Sequence, residues 1–364
     1  MNNSLVVSFK AQNFRNLTDA IVKLSPGINC FYGLNGEGKT NFIEAIYYVC
    51  RGKSFRKKTS YPQLLSNECV KDEIIFNILF QNENYISWRQ TSSNLELYLN
   101  NSKIKRKQKY GCVFLNPFDS FLFHNDPQFR RGWFDSHLSD IDSEYKSNLS
   151  KCEKFIRHRN KLLKLGQSDQ NAKQINAIDE NLAPLLKFIH EKRHEFLKDL
   201  SGHTENIFKK VFNENFEVNL VLESKISDLS VDEIKAKMTK KMAKDFIIGS
   251  SSIGPSKDDF IIEINGLNSV EFASLGQQKM TYISLLFAYI ELFRYKFKSF
   301  PIVLIDDVSG ELDEIRLKNL IEYLHQTSTQ VLITTANKAF MENLSADKSI
   351  SVFFVDQGEV KNIS

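Results

Sequence analysis

Eight residues near the N-terminus, GLNGEGKT from Gly33 to Thr40, fit the spacing G-x-x-x-x-G-K-[ST]. Glycines at these positions let backbone N–H groups turn toward a phosphate, and the positive end of a following helix adds to the attraction. Lys39 supplies a point charge for β- and γ-phosphates, and Thr40 a hydroxyl ligand for Mg²⁺. Such a cradle also needs a carboxylate. The run IVLIDD, residues 302–307, supplies one far along the chain. Four apolar residues ending in an acid place Asp306 at the C-terminal edge of a buried strand. From there it can hold Mg²⁺ through a water if that strand neighbours the cradle. Asp307 would then face an attacking water as base or polariser. A third segment, ASLGQQKM (273–280), has Ser274 as a good N-cap, Gly276 permitting close approach, and a helix expected from Gln277. One triphosphate needs one phosphate loop, so a second anion-seeking helix start suggests a site completed across a dimer.

The elements that must position these residues are legible in outline. Short strands are expected at 5–11, 20–24 and 28–32, the last running into the glycines. NFIEAIYYVC then has helical spacing. Strand, glycine turn and helix is the context that the phosphate-loop motif requires. Residues 74–115 alternate as strands, with Asn100-Asn101 as a hairpin turn. From about 135 to 212 helical periodicity prevails, with Pro184 as the single proline, and GQSDQNAKQ (166–174) links two helices. FIIEING (260–266) reads as a strand and 277–297 as a helix. PIVLIDD (301–307) and QVLITTA (330–336) read as parallel strands covered on both faces. The expected fold is α/β, with a mixed β-sheet in a nucleotide-binding head. Residues 1–134 and 213–364 form that head, and 135–212 an inserted α-helical arm.

Bulk composition narrows the class. The chain has 364 residues, 42% apolar and 25% charged, the balance of a soluble globular protein. No apolar run reaches the length of about 18 residues that a membrane helix needs, and the N-terminus lacks the pattern of a secretion signal. Five cysteines are scattered without a CxxC pair, which argues against zinc or disulfides and fits the cytoplasm. A net charge of only +4 leaves any nucleic-acid surface to local clusters.

Taken together, the stretches NFRNL (13–17), GLNGEGKTNFIEAIYYVCRGKSFR (33–56), FLNPFDSFLFHNDPQFRRGWFD (114–135), GPSKDDF (254–260), SLGQQKM (274–280) and IVLIDDVSGELD (302–313) resemble the RecF family. These are ABC-type, SMC-like ATPases of recombinational repair, and the resemblance runs over nearly the whole chain. It implies that Asn35, Gly36, Glu37, Gly38, Lys39, Thr40 and Asn41 bind ATP phosphates, with Gly33 opening the loop and Arg15 and Asn16 near the nucleotide. It implies that Asp306 holds Mg²⁺ and Asp307 assists a weak, DNA-stimulated hydrolysis. Ser274, Gly276 and the adjoining Gln277 would meet the γ-phosphate bound by a partner subunit, with Glu311 and Asp313 at the dimer seam. ATP would thus drive homodimerisation on double-stranded or gapped DNA, and the protein would act with RecR and RecO to help load RecA. The sequence departs from the family pattern at Leu275 and Lys279 (usually Gln and Arg), at Ser256 and Lys257, and at Phe118, where an acid is usual. A lysine cannot fork onto a planar acceptor as arginine does.

For DNA the candidates are KIKRKQK (103–109), with five positive charges in seven residues, Arg130-Arg131, and Lys151, Lys154, Arg157, Arg159, Lys161 and Lys164 on the arm. Such groups neutralise phosphates without reading sequence. A solvated charged face explains each cluster equally well taken singly. A transporter ATP-binding subunit would carry LSGGQ, and a small-molecule kinase would not explain the Ser274 segment. An SMC-like ATPase of phage defence, or a RecF paralogue with another partner, is the alternative reading.

Overall fold

In the computed structural model, the described residues are 5–56, 58–67, 71–105, 110–116, 118–212, 216–307, 314–327 and 329–364. The chain divides into two compact units. The first takes residues 1–119, 209–214 and 290–364, and the second takes 120–208 and 215–289. The expected arm, 135–212, thus falls mostly in the second unit, in company with residues assigned above to the head.

The first unit holds two sheets. One is antiparallel, in the order β2 (Val22–Lys23), β1 (Val6–Gln12), β4 (Ile74–Phe80), β5 (Tyr85–Gln90), β6 (Leu95–Leu99) and β7 (Ser102–Ile104). In β4 alternate residues are buried, as expected of a sheet with one covered face. The turn from β6 to β7 is Asn100-Asn101, both at positive φ, the geometry a two-residue hairpin demands. The other sheet is mixed: β15 (Glu359–Asn362), β14 (Ser351–Asp356), β3 (Ile28–Tyr32), β13 (Val331–Thr335), β12 (Ile302–Ile305) and β8 (Cys112–Leu115). All are parallel to their neighbours except β15. Every residue of β12 and β13 is buried, which accounts for their unbroken apolar runs. Around these sheets lie α1 (Lys39–Arg51), the single turn α2 (Tyr61–Leu64), α10 (Glu314–Gln326) and α11 (Lys338–Ser345). Phe9, Phe14, Phe31, Phe42 and Phe76 pack ring against ring in their shared core, mostly edge-on or tilted.

The second unit is mainly helical. α3 (Asp119–Asn125), α4 (Pro127–Ile141), α5 (Ser143–Lys164), α6 (Asp169–Ile207) and α7 (Val231–Ile248) accompany a small antiparallel sheet, β11 (Leu267–Asn268), β10 (Asp259–Ile264) and β9 (Val218–Glu223). α8 (Ser269–Phe272) leads into α9 (Leu275–Phe297), whose residues from 290 onward are counted in the first unit. Pro184 lies inside α6 without ending it. Packing carries the helix past the missing N–H: Leu182, Ala183 and Leu186 beside it are buried. The polar link between α5 and α6 is shorter than the sequence suggests, because Ser168 caps α6 through the N–H of Asn171.

Two buried arginines organise this unit. Arg159 bonds Asp179 (2.8 Å), Asp245 (2.8 Å) and Ser251 (2.9 Å), clamping α5, α6 and the end of α7. Arg193 bonds Asp135 (2.8 Å), Asp258 (2.7 Å) and the carbonyl of Pro255 (3.1 Å). A buried charge must be paired to be tolerated, and these are. Arg159 is therefore withdrawn from the DNA candidates, being 1% exposed. Arg130 is withdrawn on the same ground, since it is buried, paired with Asp259 at 2.7 Å and donating to the carbonyls of Phe123 and His124. Arg131 donates to the Asp258 carbonyl at 3.1 Å. Of the hairpin cluster, Lys103 is paired with Glu96 and residues 106–109 lie outside the described residues.

Candidate nucleotide-binding site

β3 delivers the chain into the glycine loop, and local sterics select the glycines. A Cβ on Gly33 would stand 2.2 Å from the Val355 carbonyl oxygen of β14, so no side chain fits. Gly38 is the N-cap of α1 at φ 111, left-handed, with no side chain capping the first turn. The leading N–H groups of α1 are left to an incoming anion. Lys39 is buried and donates to the carbonyls of Gly33 (2.8 Å) and Leu34 (2.7 Å). Burial lowers its pKa, while Asp307, Asp306 and Glu37 oppose that shift. Asn35 and Gly36 are exposed at the loop's crest.

The acid arrives by a route the sequence left conditional. β12 is not the neighbour of β3; β13 lies between them. Even so, the Thr40 hydroxyl donates directly to Asp306 Oδ1 at 2.9 Å. The intervening strand supplies a third member: Thr334 Oγ1 donates to the same Oδ1 at 2.6 Å and accepts the Asp307 N–H at 3.1 Å. Asp307 is held at φ 50, a strained value for a non-glycine residue. Desolvation raises the Asp306 pKa, with Asp307 adding to the rise and Thr334, Thr40 and Arg56 opposing it. A carboxylate disfavoured in this way is relieved by a cation. The hard oxygens of Thr40 and Asp306 suit Mg²⁺, which takes one or two protein ligands together with phosphates and water. Among the described residues no cluster of three or more His, Cys, Asp or Glu forms an all-protein cage.

Beside the loop opens a polar cavity of about 970 Å³, lined by Arg15, Asn16, Asn41, Arg56, Gln63 and Gln357 among others. Its wall is wired to Glu44, whose side chain is wholly buried. Glu44 accepts from Arg15 Nε (3.2 Å) and Nη2 (3.0 Å) and from Ser54 (2.5 Å), and pairs with Arg56 Nη1 at 3.0 Å. Arg56 donates to Asn41 (2.8 Å), Asn41 to Asn16 (2.8 Å), and Asn16 to the Gly36 carbonyl (3.4 Å). A second brace comes from the β14–β15 turn. Glu37 accepts the N–H of Gln357 on its carboxylate (2.6 Å) and that of Gly358 on its carbonyl (2.7 Å). A Cβ on Gly358, at φ 81, would stand 1.6 Å from the Asn16 carbonyl oxygen. Glu44, Arg56, Thr334 and Gly358 were not singled out in the sequence. Glu44 and Arg56 stood inside the quoted stretch 33–56 and Thr334 inside QVLITTA (330–336), none of them picked out, while Gly358 carries no local signal.

In the second unit, Ser274 is exposed and caps α9, which begins at Leu275 rather than Gln277. Its Oγ accepts the Gln277 N–H (3.2 Å), and Gln277 Oε1 accepts the Ser274 N–H (2.8 Å), a reciprocal capping box. The box draws two more residues into the helix, so Gly276 lies in its first turn. Leu275 is 67% exposed and Phe272 63%. Ser256 and Lys257 are exposed on a tight turn, Phe118 is also exposed, and Lys279 is half-buried. Glu311 and Asp313 lie outside the described residues.

The comparisons with known proteins identify the family. The family model for the RecF/RecN/SMC N terminal domain matches residues 5–361. The DNA replication and repair protein RecF of Alkaliphilus oremlandii is 31% identical, covering 98% of this chain and 100% of its own. That of Clostridium botulinum (strain 657 / Type Ba4) is 30% identical over 96% and 98%. A solved structure of the recombination mediator protein RecF-ATPrS in the RecFOR pathway superposes with a TM-score of 0.84 at 25% identity, covering 100% of this chain and 99% of that one. The Smc head domain from Pyrococcus furiosus, at TM-score 0.56 and 16% identity, shares the fold alone. With its phosphate loop and Asp306 set across one mixed sheet, the chain belongs to the RecF family of SMC-like ABC-type ATPases.

Proposed function

We propose that the protein is an ATP-dependent DNA-binding switch of recombinational repair, in which ATP joins two copies on double-stranded or gapped DNA. The carrying observation is the Thr40–Asp306–Thr334 contact, which unites three distant segments of one unit beside Lys39. ATP would place its phosphates on the N–H groups of the loop and α1, with Lys39 turning from the Gly33 and Leu34 carbonyls toward them. Mg²⁺, when bound, would neutralise phosphate charge between Thr40 and Asp306. Asp307, held by Thr334, would orient the attacking water. Ser274 and the first turn of α9 would meet the γ-phosphate held by the other copy. That contact exists only in the closed dimer, so binding drives association and hydrolysis releases it. The proposed catalytic activity is therefore slow and serves release.

For DNA, Lys151, Lys154, Arg157, Lys161 and Lys164 are exposed along α5, suiting sequence-independent contact with backbone phosphates. The matched RecF structure, described as part of the RecFOR pathway, supports a place beside RecO and RecR, and in our reading the protein acts upstream of RecA loading. Light scattering with ATP and Mg²⁺, with and without duplex DNA over a salt series, tests the reading. Nucleotide-dependent doubling of mass and salt-sensitive DNA binding are expected. A monomer at saturating ATP, or DNA binding indifferent to salt, would overturn it.

A further inference from the structure

The free end of the α5–α7 pair carries apolar side chains that the proposed function does not use, beside Lys161 and Lys164, which it assigns to DNA. Three large apolar side chains stand in solvent there: Leu165 (74% exposed), Ile247 (87%) and Ile248 (54%). Lys164 and Gly249 bring the two helix ends together, a Cβ on Gly249 lying 3.5 Å from Lys164 Cγ. Helical spacing puts Lys240, Lys244, Ile247 and Ile248 on one face of α7, and Lys161, Lys164 and Leu165 on one face of α5. All four of these lysines are exposed.

This end is built stiff. Leu162, Leu163, Ile175 and Ile178 form a small core under it, joined by Met242 and Phe246. Arg159 clamps Asp245 and Ser251 just beyond the last turn of α7, and Ser251 bonds Asn160 of α5 at 2.8 Å. Gly249 closes α7 in the left-handed conformation, donating to the Asp245 carbonyl. The isoleucines are thus displayed on a fixed backbone.

We propose that this tip docks an acidic segment of a partner protein that carries aliphatic or aromatic side chains between its carboxylates. The lysines set the sign of the charge, and the exposed Leu165, Ile247 and Ile248 require apolar partners to gain from leaving water. Duplex DNA matches the charge but offers its hydrated backbone nothing to cover the isoleucines. A membrane matches both, yet helices that lie in a bilayer surface are apolar along a whole face. On the outward face of α7 large apolar side chains are confined to the last turn, the rest being Asp232, Glu233, Ala236, Thr239, Lys240, Ala243 and Lys244.

The test uses the full chain and a fluorescein-labelled helical peptide with leucines at i, i+3, i+4 and i+7 and glutamates between them. A control peptide has serine for leucine, and vesicles with and without anionic lipid form a third arm. The expected result is saturable anisotropy change with the leucine peptide alone. In the variant L165S/I247S/I248S affinity falls about tenfold or more, the scale of losing one well-buried aliphatic contact. Its ATP affinity, duplex DNA binding and melting temperature stay unchanged. Hydrogen exchange should slow at 161–166 and 243–249 when the leucine peptide binds. The proposal is overturned by equal binding of the serine peptide, by undiminished binding of the variant, by protection elsewhere, by preference for anionic vesicles, or by loss of DNA binding in that variant.

Discussion

The neighbourhood of Lys39 and that of Ser274 are each built on a helix start, yet they differ in how their polar groups are committed. Around Lys39, side chains from the end of β12, from β13 and from α1 converge with backbone N–H groups of the β14–β15 turn, and buried Glu44 and half-buried Asp306 anchor them. Around Ser274 the bonds are local, between residues three apart, and the flanking Leu275 and Phe272 face solvent. A site cross-braced by a sheet is pre-organised for its ligand; an exposed cap fringed with apolar side chains is ready for a surface to arrive. On the proposed reading, one half would bind nucleotide alone, while the other would act only when brought to it.

Breaking the first half should have the largest effect. Lys39→Ala removes the point charge and leaves the Gly33 and Leu34 carbonyls without their donor. Calorimetry should show ATP affinity down about 100-fold or more, as loss of a charge-assisted contact in a desolvated site implies. Gly358→Ala comes next, because its Cβ would overlap the Asn16 carbonyl and φ is positive. A loss on the order of 2–4 kcal/mol is expected by thermal or denaturant unfolding. Wild-type stability there would mean the turn does not brace the loop.

Thr334→Val deletes the donor to Asp306 and the acceptor for Asp307 N–H while keeping the volume. Mg²⁺-dependent ATP affinity should fall about tenfold, from leaving buried polar groups unpaired; an equal fall in Mg²⁺-free binding would show a merely general loosening. Asp306→Asn sharpens the electrostatics. Its carboxyl pKa is raised in the fold by burial. A group raised in this way favours folding below its unfolded pKa and loses that contribution as pH rises through the folded one. At neutral pH without Mg²⁺ the variant should therefore melt slightly higher, by about 1–3 °C. That gain should vanish in acid, and stabilisation by Mg·ATP should be lost. A lower neutral melting point would contradict the sign.

The phosphate loop and IVLIDD were legible because each is a contiguous pattern whose chemistry depends on neighbours in sequence. β3 was legible to the residue, since an apolar run ended by glycine has clear edges. Thr334 was not, because its role arises from strand order: β13 lies between β3 and β12, which no local pattern encodes. Glu44 looks like any helix acid until Arg15 and Arg56 fold over it. Arg130 and Arg159 misled for the converse reason. Charge in sequence does not tell a solvated lysine from an arginine consumed by buried aspartates. α7 was not singled out, being rich in lysine with few buried positions.

The smallest effect on nucleotide affinity, and the most telling, belongs to Ser274→Arg. ATP binding should change by no more than about twofold, because Ser274 touches only its own helix cap within one copy. Light scattering with ATP and Mg²⁺ should then give a dimer for the wild-type protein and a monomer for the variant at the same nucleotide occupancy. If the variant dimerises as well as wild type, or loses ATP binding together with dimerisation, the division between a binding half and an arriving half is contradicted.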